Sequence, residues 1–195
     1  MLDSRALRAL LSLGMVVGLG ATGTYAYWTD TTTITGTTIT AGTIDLKASA
    51  GPSGFQDNPT DFTTMNVNTM VPGDTTAGVI TIKNSGTAPL TYSATSVGTN
   101  GDAKSLATAL ALKVTLDTAT TGSGRAVTCA GAAIAGSGTT IGLTATNLLS
   151  SATPRTLAAG QEEKICVQVG LPSNANTALQ GATTNLTFTF NGTSF

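Results

Sequence analysis

Cys129 and Cys166 are the only thiols in a 195-residue chain that contains no histidine. That absence removes the His-Glu zinc motif, the Ser-His-Asp triad and the Cys-His pair from the chemistry one chain can carry. Two thiols without histidine make a poor metal set, so their two remaining readings are an intramolecular disulfide, formed in an oxidising compartment, and a pair of free thiols. Ser123 and Ser137 sit in Gly-Ser-Gly contexts without the strand-turn-helix setting of a nucleophile elbow, and read as flexible loop. Asp57, Asn58 and Asp61, or Asn100 and Asp102, offer oxygen ligands of the kind calcium takes, but without a defined loop spacing they read as solvated turn residues. Asn185-Leu186-Thr187 and Asn191-Gly192-Thr193 match the glycosylation sequon, which Thr-rich sequence meets by chance. These residues point to no catalytic group, no metal site and no cofactor.

The elements that must position the two cysteines are strands. Ile165, Val167, Val169 and Leu171 alternate with Lys164, Cys166, Gln168 and Gly170, a period of two that turns Cys166 away from the apolar face. Its partner must then lie outside the main core. Leu110, Leu112, Val114 and Leu116 alternate in the same way, as do Leu186, Phe188 and Phe190. Further strands are expected at 44–48, 62–71, 79–83 and 90–94, with weaker signals at 125–129 and 139–144. Val71-Pro72-Gly73-Asp74 reads as a turn, and Asn84-Ser85-Gly86-Thr87 as the turn of a hairpin between 79–83 and 90–94. Asp102 is placed to cap a short helix over 102–110, with Leu106 and Leu110 on one face. Many short strands without a βαβ rhythm predict an all-β fold, an antiparallel jelly-roll-like β-sandwich of roughly eight to ten strands with one or two short helices.

Composition agrees with a folded, exported chain. Hydrophobic residues make up 41% and charged residues 10%, too apolar and too weakly charged for a disordered polypeptide. Arg5 and Arg8 precede a short apolar run from Leu10 to Ala21, and Thr24-x-Ala26 supplies the small residues a signal peptidase requires, which places the cut between Ala26 and Tyr27. The run is shorter than the roughly 20 apolar residues that span a bilayer. The expected organisation is a helical signal peptide at 1–26, an extended segment at 27–40, and a β-sandwich at 41–195. Losing the leader moves the formal charge from −1 to −2, which leaves no basic surface for nucleic acid.

Gly23-Thr24-Tyr25-Ala26 followed by Tyr27-Trp28-Thr29-Asp30, and then Ala41-Gly42-Thr43-Ile44-Asp45-Leu46, resembles the SipW-dependent signal peptides and mature starts of the TasA and camelysin (CalY) family. The Pro72-Gly73-Asp74 turn, the Asn84-Ser85-Gly86-Thr87 segment, Leu171-Pro172 and Gln180-Gly181-Ala182-Thr183 are similar to further blocks of that family in the same order. The resemblance implies a secreted subunit of extracellular biofilm-matrix fibres, processed by a dedicated signal peptidase and assembled by donor-strand exchange with copies of itself, alongside other matrix or cell-surface proteins. The donor strand would be the segment carrying Tyr27, Trp28, Thr29, Asp30 and Ile34. In strict alternation Trp28, Asp30, Thr32 and Ile34 share a face, which obliges Asp30 to find a partner or a bend. The alternatives are a camelysin-like surface metalloprotease and a monomeric surface adhesin or binding module.

Overall fold

The chain divides into two compact units, residues 1–40 and 41–195. The computed structural model describes residues 4–21, 40–60, 62–67, 69–134 and 138–194. In the first unit the described element is the helix α1 (Ser4–Ala21), whose Leu7, Leu10, Leu11 and Val16 are exposed. Among the described residues no helix is long and apolar enough to cross a membrane.

The second unit is built from eight described strands: β1 (Leu46–Ser49), β2 (Thr75–Asn84), β3 (Leu90–Gly98), β4 (Ala111–Thr115), β5 (Thr146–Leu149), β6 (Arg155–Leu157), β7 (Glu162–Gly170) and β8 (Leu186–Ser194). One sheet runs β1-β2-β7-β4. In the other, β8 lines one edge of β3 along its whole length, while β6 and β5 share the opposite edge. Every strand pair is antiparallel. The core lies between the sheets, where Ile80 and Ile82 of β2, Ile165, Val167 and Val169 of β7, and Leu112 and Val114 of β4 meet Leu90, Tyr92 and Ala94 of β3. These are the alternating apolar residues that the period of two places on one face.

Three expectations fail, each for a visible reason. β2 and β3 do not form a hairpin, because β2 belongs to one sheet and β3 to the other. The segment between them crosses the sandwich. Asn84, fully buried, donates from Nδ2 to the carbonyls of Ala88 at 2.8 Å and Leu157 at 3.2 Å and accepts the Gly86 amide at 3.0 Å, so the turn residues are spent on the crossing. Gly86 is needed there because a Cβ would lie 2.3 Å from the Thr43 carbonyl oxygen. Where a strand was expected over 62–71, the described residues 62–67 and 69–71 form a 3₁₀ turn, Thr63–Met65, and irregular chain, with Phe62, Met65 and Met70 turned onto the core. The expected helix over 102–110 shrinks to α2 (Leu106–Ala109). Ala103 and Ser105 both adopt positive φ, and Asp102 accepts the Lys104 amide at 3.0 Å and the Thr183 amide at 2.6 Å, so it ties two loops where a helix cap was expected.

Ser96 continues the inward column Leu90, Tyr92, Ala94 on β3, yet its buried hydroxyl has no hydrogen-bond partner. An unsatisfied buried hydroxyl costs about 1–3 kcal/mol. Replacing it with a methyl group should therefore stabilise the fold: Ser96→Ala is expected to raise unfolding free energy by about 1 kcal/mol, roughly 2–4 °C in Tm for a chain of this size. Thermal and denaturant unfolding of the two proteins measure this, and a loss of stability would show that the hydroxyl has a partner in solution.

Candidate functional site

The two flanks of the sandwich differ. On one, Glu163 of β7 reaches across to the facing sheet. It accepts Arg155 Nε at 2.6 Å and Nη2 at 2.5 Å, and the Tyr92 hydroxyl also donates to it. Burial opposes the charge on Glu163, but its bonds to Arg155 and Tyr92 outweigh that cost and hold its carboxyl below the usual range. Burial, and then the neighbouring carboxylate, push the Tyr92 phenol far up. The result is a charged brace joining β7 to β3 and β6, and it keeps this flank closed.

The other flank is open. β1 pairs with β2 only from Thr81 to Asn84, so residues 76–80 of β2, paired with β7 on one edge, have no described strand along the other. Across the gap, β8 pairs with β3 along one edge and has no described strand along the other. Between these edges runs a groove whose floor includes Leu186, Phe188 and Phe190 of β8, each only half-buried. Two cavities share it, of about 530 Å³ beside Leu46 and Ile80, and of about 1010 Å³ toward Met70, Leu106, Leu171 and Leu179. The ring of Phe62 meets Phe188 edge-on between them, with centroids 6.1 Å apart.

The chain enters the second unit at one end of this groove. Thr43 donates from its amide to Thr87 Oγ1 at 2.9 Å and accepts the Thr87 amide at 2.8 Å, while the Ser85 amide donates to the Asp45 carbonyl at 2.7 Å. Two of the motifs singled out in the sequence thereby fasten each other. Ser194, at the end of β8, stands opposite Leu90 at the same pole.

The signal-peptidase pair Ala26 and Tyr27, and the donor-strand residues Tyr27, Trp28, Thr29, Asp30 and Ile34, lie outside the described residues, as do Asp61 and Ser137. Cys129 and Cys166 are joined by a disulfide. They pack with Ala77, Val79 and Val127 in a small cluster separate from the main core, on the outer face where Cys166 stands opposite Val79. The bond closes a span of 37 residues, worth about 4 kcal/mol in the chain-entropy model. Asp57 is paired with Lys47 at 3.0 Å, and Asn100 accepts the Ser105 amide at 2.6 Å, so neither oxygen cluster converges on an ion site. Ser123 lies in an exposed turn flanked by Gly122 and Gly124, both at positive φ. The brace was not singled out from the sequence. Its signal was there: Glu163 falls on the same face as Ile165 and Val167, where a carboxylate requires a partner.

The fold and the groove define a two-sheet antiparallel sandwich closed on one flank and open to a further strand on the other. The chain belongs to the family described as camelysin metallo-endopeptidase, whose model matches residues 4–110. No curated protein matches it. The family's description implies a metal, and the side chains present do not fit one. Histidine is absent from the chain, both thiols are consumed by the disulfide, and among the described residues no three carboxylates or thiols come together.

Removing one partner of a fully buried ion pair costs about 3–5 kcal/mol, and the brace is partly exposed, so Glu163→Gln should destabilise the protein by about 2 kcal/mol at neutral pH. The folded Glu163 carboxyl titrates below its ordinary value of 4.5, so its contribution is complete above that pH and is lost as pH falls through the lowered value. The stability gap between wild type and Glu163→Gln should therefore narrow as pH falls from the ordinary carboxyl value of 4.5 through the lowered folded one. Urea titrations across that range measure it, and a gap independent of pH would remove the carboxylate from the account.

Proposed function

We propose that this chain is a secreted structural subunit of extracellular biofilm-matrix fibres. After cleavage between Ala26 and Tyr27 by a dedicated signal peptidase, the segment at 27–40 adds as a strand to the open flank of the next copy. The observation that carries this reading is the groove between the unpaired edges of β2 and β8. Strand addition satisfies such edges with main-chain hydrogen bonds and lets alternate side chains fill the groove.

The donor pattern suits the acceptor. Trp28, Asp30, Thr32 and Ile34 share one face in strict alternation, so Asp30 needs a partner or a bend, while Thr29, Thr31, Thr33 and Thr35 share the other. β8 carries the same division, with Leu186, Phe188 and Phe190 toward the groove and the exposed Thr187, Thr189 and Thr193 outward. Burying Trp28 and Ile34 would contribute roughly 1.5–3 kcal/mol each. β8 is nine residues long, about 30 Å at 3.3 Å per residue, and a segment of fourteen can cover it. Head-to-tail donation does not close on itself, so its product is an open filament.

The family's description supports a second reading, a surface peptidase. The donor set argues against a metal-dependent mechanism, and the protein is assigned here as a non-enzymatic subunit. Robust chelator-sensitive digestion of casein by the purified chain would reverse that assignment.

The mature chain beginning at Tyr27 should polymerise into fibres visible by electron microscopy, and a chain lacking 27–34 should remain monomeric under the same conditions. A peptide of residues 27–40 added in trans should slow the intact chain. A mature protein that stays monomeric across concentration and pH would overturn the fibre reading and favour a monomeric adhesin.

A further inference from the structure

The larger cavity of the groove has a wall that is held from outside the core. Thr69, Met70, Val71 and Pro72 form part of that wall, and the turn that ends it is fixed by Asp74. Asp74 Oδ2 accepts the Val71 amide at 2.8 Å and Arg125 Nε at 2.8 Å, and Arg125 Nη2 also donates to the Thr69 carbonyl. Gly73, at φ +97, donates its amide to the Leu171 carbonyl at 2.8 Å. Alongside these backbone bonds and the packing of Met70 on the core, one guanidinium fixes the wall from outside.

Arg125 comes from an excursion that leaves β4 and crosses the outer face of the β1-β2-β7-β4 sheet. Two backbone hydrogen bonds attach it to the first residue of β2, at the strand edge, from the Thr75 amide to the Arg125 carbonyl at 2.9 Å and from the Val127 amide to the Thr75 carbonyl at 3.2 Å. Lys113 Nζ donates to the Cys129 carbonyl at 2.7 Å, and the Cys129 amide donates to Gln168 Oε1 at 2.9 Å. Arg125 itself is half-exposed, with 51% of its side chain accessible, so these contacts compete with water. The covalent attachment, four residues beyond Arg125, is the Cys129–Cys166 bond, and both of its cysteines are buried in the small outer cluster.

We propose that the Cys129–Cys166 disulfide is a maturation latch on the acceptor groove: closing it holds Arg125 over Asp74 and Thr69, and so sets the position of the Thr69–Asp74 wall. This rests on reading the groove as the strand acceptor, although the latch itself is a property of the single chain. The chemistry is thiol–disulfide exchange. One thiolate attacks a disulfide-donating oxidant to form a mixed disulfide, and the second displaces the donor as its dithiol. Two protons and two electrons thus pass from the cysteines to the donor. Because the finished bond is buried, the latch closes once, on the oxidising side of the membrane, and does not cycle.

Hydrogen exchange on the full chain tests this, comparing oxidised wild type with Cys129→Ala/Cys166→Ala and with Arg125→Ala, in which the disulfide remains. Exchange at the Val71 and Gly73 amides should accelerate at least tenfold in both variants, and in Arg125→Ala, which keeps the disulfide and its global stabilisation, Ile82 and Val167 within the β1-β2-β7-β4 sheet keep their protection. No acceleration in the double cysteine variant would overturn the latch. So would equal acceleration at Ile82 and Val167 in Arg125→Ala, which would make the guanidinium a general stabiliser, or a wall unchanged in that variant, which would break the link through the guanidinium. Polymerisation of oxidised wild type is scored separately, so a failure to form fibres counts against the fibre reading and leaves the exchange result to judge the latch.

Discussion

Backbone amides and carbonyls along a strand edge must find partners, and much of this molecule is arranged around two edges that lack them. β1 is four residues long beside a ten-residue β2, and β8 lies on the outside of its sheet. An exposed edge of that length invites pairing with any available strand, and proteins usually blunt it with charge, proline or a bulge. Here the facing edge, β8, carries Thr, Phe, Asn and Gly and no charged residue. An edge left so permissive is a liability in a monomer and an asset in a subunit, and under the proposed strand addition the shortness of β1 matters more than any single side chain.

Keeping one flank open requires the other to stay shut. With 10% charged residues the chain has few ion pairs to place, and those described sit at joints. Glu163–Arg155 ties the two sheets, Asp74–Arg125 ties the turn before β2 to the outer excursion, and Lys83–Glu162 links neighbouring strands. Only the first is substantially shielded from water, and exposed pairs contribute about 0–1 kcal/mol. The brace therefore sets sheet-to-sheet geometry most strongly. Tyr92 extends its influence to the open side, because its ring also packs against Phe190 of the groove at 6.4 Å between centroids.

Alternation made β4, β7 and β8 legible in the sequence, and with them the outward direction of Cys166, since a period of two is a local property that burial on one face enforces. What local pattern does not carry is the choice of sheet. Asn84-Ser85-Gly86-Thr87 has the composition of a hairpin turn, and only the buried Asn84, bonded to a carbonyl 73 residues away, reveals a crossing. β5 and β6 were missed because their strands are four and three residues long, too short to show a period. The groove was invisible for a related reason: it is defined by where β1 stops relative to β2, a comparison of lengths across a pairing that no single segment records. Polar residues within an apolar register were the readable clue that went unused, since Glu163, Asn84 and Ser96 each fall on a face otherwise filled with aliphatic side chains.

The span of the family match bears on which parts of the molecule the shared name describes. Residues 4–110 take in the helix α1, the proposed donor segment, β1, β2 and β3, and stop before β4. One unpaired edge, residues 76–80, lies within that span, and the other, β8, lies beyond it. Both partners of the brace that come from β6 and β7, and both cysteines, also lie beyond it. A catalytic centre resting on the shared region alone would have to be assembled there from Asp45, Asp57, Asp74 and Asp102 among the described acids, without histidine. Asp57 is paired with Lys47, Asp74 with Arg125, and Asp102 with the backbone of Lys104 and Thr183. The matched region instead contains the helix α1, a Thr-rich sequence and the β2 edge facing β8, the parts that the proposed strand donation would use.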